Sequence, residues 1–203
     1  MMDTEWDMLL RIGFGRSTAG RRQSQLARLV SRMPNGILST SGGRLEEMIA
    51  GVVARFGPFV AVGAPDESLP QLGAARAYLP RDNTIIDWVD AAQLIILVAG
   101  TTHWVRWEFN MVLRREHWSN VIVVMPPSAR PEHNAARWDH IIAGLRNSPW
   151  HDALAMIDPH RVVALRLLDG GGVATVTIDL RRMVDYELAM RIMMYQLVLT
   201  ATP

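Results

Sequence analysis

The sequence predicts an α/β fold. It would be a parallel sheet of flavodoxin-like or TIR-like type with helices on both faces, extended by a C-terminal β-hairpin and helix. Three observations carry this reading. Short, wholly apolar runs recur, the clearest being Leu94–Ala99 and Val121–Met125, and such runs fit strands buried on both faces. Between them lie stretches whose apolar residues repeat near the helical period. The connections are short, and strand–helix alternation of this kind builds an open sheet. A barrel would need more units.

The elements follow in chain order. Asp7–Phe14 (DMLLRIGF) reads as a first strand, with Ile37–Ser39 as the alternative. Gly13–Gly20 is a Gly/Ser/Thr loop with some likeness to a phosphate loop, but without the lysine or the glycine spacing of one. Arg21–Met33 carries Leu26, Leu29, Val30 and Met33 at helical spacing and is stopped by Pro34-Asn35-Gly36. Gly43–Phe56 is a clearer helix, ended by Gly57-Pro58, and Phe59–Val62 a buried strand. Gly63–Gly73 is a loop with two prolines and two acids. Ala74–Leu79 holds a short strand. Asp82 or Asn83 caps a helix to Ala92, and Leu94–Ala99 follows as the strongest strand. A helix over 103–116 leads to Val121–Met125, closed by Pro126-Pro127.

Beyond residue 128 the pattern changes. Ala135–Arg146 reads as a helix with Trp138, Ile141, Ile142 and Leu145 on one face. Val162–Leu168 and Val173–Ile178 flank Asp169-Gly170-Gly171-Gly172, a hairpin signal. Residues 181–199 form a Met-rich helix with a wide apolar face, fit to dock on the sheet or to make a dimer contact. We therefore expect an N-terminal region over 1–35, an α/β core over 36–128, and a C-terminal part over 129–203 that completes the same domain.

Composition narrows the chemistry. The 203 residues are 49% hydrophobic and 20% charged, enough apolar material for a core. There is no cysteine, so disulfides, thiolate metal sites and cysteine nucleophiles are excluded. All 21 basic side chains are arginine, which excludes lysine Schiff bases and a P-loop lysine. A net charge of +1 gives no drive toward nucleic acid. No apolar run reaches the ~18 residues of a membrane span. The N-terminus places acids before its short apolar run, the wrong order for a signal peptide, so a cytoplasmic location is expected. The histidines lack HExxH spacing, no G-x-S-x-G is present, and neither a metal nor a cofactor is expected.

One segment concentrates candidate chemistry. Leu94–Phe109 (LIILVAGTTHWVRWEF) runs from strand to helix through Gly100. A glycine there lets the chain turn, Thr101 or Thr102 can cap the helix, and the helix N-terminus suits a phosphate. Trp104 and Glu108 stand at i and i+4 on one helical face. Open α/β sheets place their chemistry just past the carboxyl ends of strands. His103 is a candidate proton donor. The plain alternative is a core tryptophan and a surface Glu108 paired with Arg106, Arg114 or Arg115.

This segment resembles TIR domains, in which an apolar strand is followed by a W-C-x-x-E helix that carries the catalytic glutamate of NAD-cleaving members. Trp104 and Glu108 take the tryptophan and glutamate positions, and Val105 stands where that motif has cysteine. Nucleoside deoxyribosyltransferases hold their glutamate at the same topological place. The stretch from Phe56 to Pro127 is also similar to an uncharacterised bacterial family with GPVVAVG, A-R-x-Y and G-T-x-x-x-x-W-E segments, here Gly57–Gly63, Ala75–Tyr78 and Gly100–Glu108. The resemblance covers about a third of the chain. It implies a nucleotide N-glycosidase, with NAD or a nucleoside as substrate. Glu108 would stabilise an oxocarbenium-like ribose. Gly100, Thr102, Trp104, Gly63, Arg76 and Gly13 would line the substrate site, with Arg76 or Arg11 on the diphosphate and Asp66 or Glu67 near a ribose. The other reading is a non-catalytic signalling or assembly module, and in either case a homo-oligomer is expected.

Overall fold

The computed structural model describes residues 11–13, 45–54, 56–57, 59–62, 75–77, 82–128, 130–178 and 182–200. The helix read at 21–33, the strand at 37–39 and the loop after Gly63, with Gly63, Asp66 and Glu67, lie outside these residues. The described strands are β1 (Arg11–Gly13), β2 (Phe59–Val62), β3 (Ala75–Ala77), β4 (Leu94–Val98), β5 (Val121–Val124), β6 (Val162–Leu167) and β7 (Val173–Thr177). The helices are α1 (Leu45–Val53), α2 (Asp82–Ala91), α3 (His103–Arg114), α4 (Pro131–Gly144), α5 (His151–Ala155) and α6 (Met183–Thr200).

The seven strands form one sheet in the order β3-β2-β1-β4-β5-β6-β7. The fold is α/β, but the sheet is mixed, which corrects the parallel sheet expected from the sequence. Only β2–β3 and β4–β5 are parallel. β1 runs against both β2 and β4, and β5–β6 and β6–β7 are antiparallel. For β5 and β6 the cause is visible in the connection. α4 carries the chain from the end of β5 to the opposite end of the sheet, where the Trp150 indole donates to the Leu168 carbonyl at 2.6 Å. The segment containing α5 then brings it back, so β6 starts beside the point where β5 finishes.

Alternation along the central strands splits the core in two. Ile95, Leu97, Val121 and Val123 face α2, α3 and α4. Leu94, Ile96, Ile122 and Val124 face α1 and α6. A run such as LIILV is thus buried on both sides because successive side chains point to opposite faces. Each fully buried aliphatic side chain is worth roughly 1.5–3 kcal/mol. The β6–β7 hairpin closes through Gly170 and Gly171, at φ 72° and 87°, a region favourable only to glycine. A Cβ on Gly171 would also stand 2.6 Å from the Pro149 carbonyl oxygen.

α6 docks on the sheet, with Tyr186, Met190, Met193 and Met194 buried. Its outer side is apolar as well, with Leu188, Ile192 and Tyr195 exposed. Apolar side chains thus lie on both its inner and outer sides, with the Glu187–Arg191 ion pair beside them. Among the described residues no helix is long and apolar enough to cross a membrane.

Candidate functional site

α3 begins where β4 ends. Thr102 is its N-cap, extended at φ −74° and ψ 157°, and its hydroxyl accepts from the Val105 amide at 3.4 Å. Gly100 precedes it for a reason other than a left-handed turn. Its Cβ would stand 3.0 Å from the Val105 side chain, so a larger residue would crowd the first turn of α3 where it folds back over the strand end. Val105, Phe109 and Val112 then bury against the sheet.

The two flanks of α3 meet different helices. On one, Gly144 of α4 lies against Phe109, where a Cβ would be 3.3 Å from the ring. The same flank carries Arg106 to His140 of α4, with Nε 3.2 Å from the His140 Nε2. On the other, Arg115 pairs with Asp90 of α2 at 3.1 Å, and His117 reaches the same carboxylate at 3.2 Å. Glu108 stands seven positions before Arg115, two helical turns away on the same stripe, so it lies on the α2 flank.

Glu108 is 6% exposed. This corrects the alternative of a surface carboxylate paired with Arg106, Arg114 or Arg115. Arg106 is engaged with His140 on the other flank and Arg115 with Asp90. Burying a carboxylate costs several kcal/mol unless it is well compensated. Position 104 lies one turn earlier. His103 is exposed at the helix start.

The remaining expected substrate residues are not gathered around Glu108. Gly13 pairs with Leu94, at the start of β4. Because β1 is antiparallel to β4, Gly13 lies at the opposite end of the sheet from Gly100, which corrects its place in the site. Arg76 sits in β3 in register with Ala61 and, through Arg11, with Ile96. That is mid-strand and three strands from β4, about 14 Å across the sheet at usual strand spacing. This moves Arg76, and Arg11 with it, away from the carboxyl end of β4. β2, which leads into Gly63, does end on the Gly100 side.

A shallow depression near the carboxyl ends of β4 and β5 lies on the other flank. Its cavity is about 20 Å³, room for one water, between α3 and α4, lined by Leu97, Ala99, Val105, Phe109, Val123 and Ile141. Arg106 and His140 stand at its rim. Burial, and then the Arg106 charge, hold His140 below its ordinary value, while its hydrogen bond to the Thr102 backbone opposes them. Sequence reading missed this pair because its members are 34 residues apart. It also missed Arg166 of β6, which is 3% exposed and donates Nη2 to the Ser119 carbonyl at 3.0 Å. Burial lowers the pKa of that guanidinium.

Other polar pairs are local. Ser128 Oγ lies 3.4 Å from His133 Nδ1, and His151 contacts Asp152 at 3.0 Å. Among the described residues no three His, Asp or Glu side chains cluster as metal ligands. Comparison with known proteins gives no match: no family model, no curated protein and no solved structure aligns with the chain.

Proposed function

We propose that this protein is a nucleotide N-glycosidase, acting on NAD or a nucleoside, in which Glu108 carries the chemistry. One observation supports it above the others. A carboxylate in the second turn of the helix that follows the central strand is almost wholly withdrawn from water. In a site of low dielectric such a charge acts on a neighbouring cation with little screening. The reaction would be dissociative. The bond from ribose C1′ to the base nitrogen breaks, its electron pair leaves with the base, and the ribose becomes oxocarbenium-like. Glu108 stabilises that positive charge and holds the ribose hydroxyls until water adds at C1′.

The test is release of free base from NAD and from a panel of nucleosides, run at high protein concentration, with Glu108→Ala as control. The reading predicts turnover by the wild type and its loss in the variant. Equal rates in the two would end it.

A second reading is an assembly module without catalysis. It is favoured by the exposed stripe Leu188, Ile192 and Tyr195 on the outer side of α6, spaced as one helical face. Gly13 and Arg76 standing away from Glu108 also favours it. A second copy of the chain is the occupant this reading expects, and absence of turnover on every substrate would shift the balance to it.

A further inference from the structure

The two edges of the sheet are built differently. β3, at one edge, has three residues, with Arg76 at its centre. β7, at the other, has five residues (VATVT), none of them charged and none proline. The register irregularity in the β6–β7 pair lies between Val162 and Ala164, on β6 rather than on the outer strand. A sheet edge carries free main-chain groups that template pairing with another strand, and proteins blunt it with shortness, charge, proline or a bulge. β3 uses the first two of these devices. β7, of ordinary strand length, uses none.

The ladder fixes which groups of β7 point outward. Just before the strand, the Leu168 amide donates to the Gly172 carbonyl at 2.8 Å, and just after it the Ile178 amide donates to the Arg161 carbonyl at 2.9 Å. Along an antiparallel pair, residues that exchange main-chain bonds with the neighbour alternate with residues that do not. Ala174 and Val176 therefore bond to β6. Val173, Thr175 and Thr177 turn their N–H and C=O groups away from it. Among the described residues β6 is the sole strand neighbour of β7.

We infer that this edge pairs with a second copy of the chain, the two β7 strands running antiparallel about a two-fold axis at Thr175. In that register Thr175 faces its own counterpart, and Val173 faces Thr177 of the second copy. Every outward-turned residue thus meets another, and each such pair exchanges two main-chain bonds. Centring the pair on Ala174 or on Val176 would leave Thr177 or Val173 with no strand residue opposite. Charge also favours a second copy as the occupant. Threonine meets threonine, valine meets threonine, and Ala174 meets Val176, so no like charges stand opposite each other. An isologous pair of this kind consumes both edges and closes as a dimer. α6 packs over β6 and β7, so the two copies carry it on the same face, one on each side of the seam. The interface rests neither on Glu108 nor on the exposed stripe of α6.

Sedimentation of the whole chain over a concentration series tests it, with amide hydrogen exchange on the same samples. The wild type should form a dimer that dissociates on dilution. The amides of Val173, Thr175 and Thr177 should exchange more slowly as the dimer fills, while those of β3 do not change. Thr175→Arg sets two like charges opposite each other at the axis and should weaken the dimer roughly tenfold or more. Thr175→Asp should do the same. Mixing the two variants should restore a dimer, which unfolded variants could not do. Leu188→Ser combined with Ile192→Ser, on the outer side of α6, should leave the dimer intact. A monomer at every concentration, or a dimer whose β7 amides exchange at the monomer's rate, would overturn the interface. So would a Thr175→Arg protein that dimerises as tightly as wild type. Open-ended assemblies in place of a dimer would overturn the two-fold pairing, and loss of the dimer in the α6 variant alone would place the contact on α6 instead.

Discussion

The two flanks of α3 differ in how they treat charge. On the flank toward α2 the helix carries an acid, Glu108, that is buried. Toward α4 it holds a base, Arg106, exposed and bonded to the His140 ring beside a small apolar gap. The same helix thus separates a buried acid from an exposed arginine across its width. The difference follows from packing. Gly144 lets α4 approach Phe109 closely near the middle of α3. On the α2 side contact is made through the Asp90 clamp to Arg115 and His117.

The first way to break the comparison is to remove what the flanks share. Phe109 anchors α3 between the sheet and Gly144 and also lines the small gap. Phe109→Ala should cost about 3–5 kcal/mol, read as a lower midpoint in urea unfolding, and should affect both flanks together. A cost under ~1 kcal/mol would mean that α3 is held mainly by the α2 clamp.

Thr102→Ala is gentler. Loss of the N-cap should cost about 1 kcal/mol and free the backbone that the His140 ring contacts. Calorimetric unfolding measures the first effect and histidine NMR the second. Unchanged stability would show that the long 3.4 Å cap contact contributes nothing.

The smallest effect is a pH dependence. The folded state holds His140 below its ordinary 6.5, so the unfolded chain takes up that proton first. The stability tied to the neutral ring is therefore complete above about pH 6.5 and is lost as pH falls through the lower folded value. Wild type should lose more stability than His140→Gln between about pH 7.5 and 5.5. Parallel losses would show that the ring titrates as an ordinary surface histidine.

How much of this was legible in the sequence depends on range. The strands Leu94–Val98 and Val121–Val124 and the helix that follows each were readable because periodicity is a local signal. So was the hairpin at Asp169-Gly170, where turn chemistry is local too. The start of α4 was misplaced by four residues, at Ala135 rather than Pro131, although proline at the first helical position is a start signal. α5, at five residues, is too short to show a period. The direction of β1 was invisible because a three-residue strand carries no mark of the way it runs, and Gly13 was misplaced as a result. At the site, i,i+4 spacing put positions 104 and 108 on one face, but the burial of Glu108 comes from tertiary packing, which spacing cannot report. Arg106 and His140 were hidden for the same reason, since nothing local joins residues 34 apart.

The most direct measurement is kcat and KM for base release from NAD by Glu108→Gln against wild type. The substitution keeps the shape of the side chain and removes its charge, and unfolding midpoints are taken on the same samples. The account predicts kcat lower by about 10²–10³, with KM changed far less and the fold intact. A kcat equal to that of wild type in a stably folded variant would contradict it.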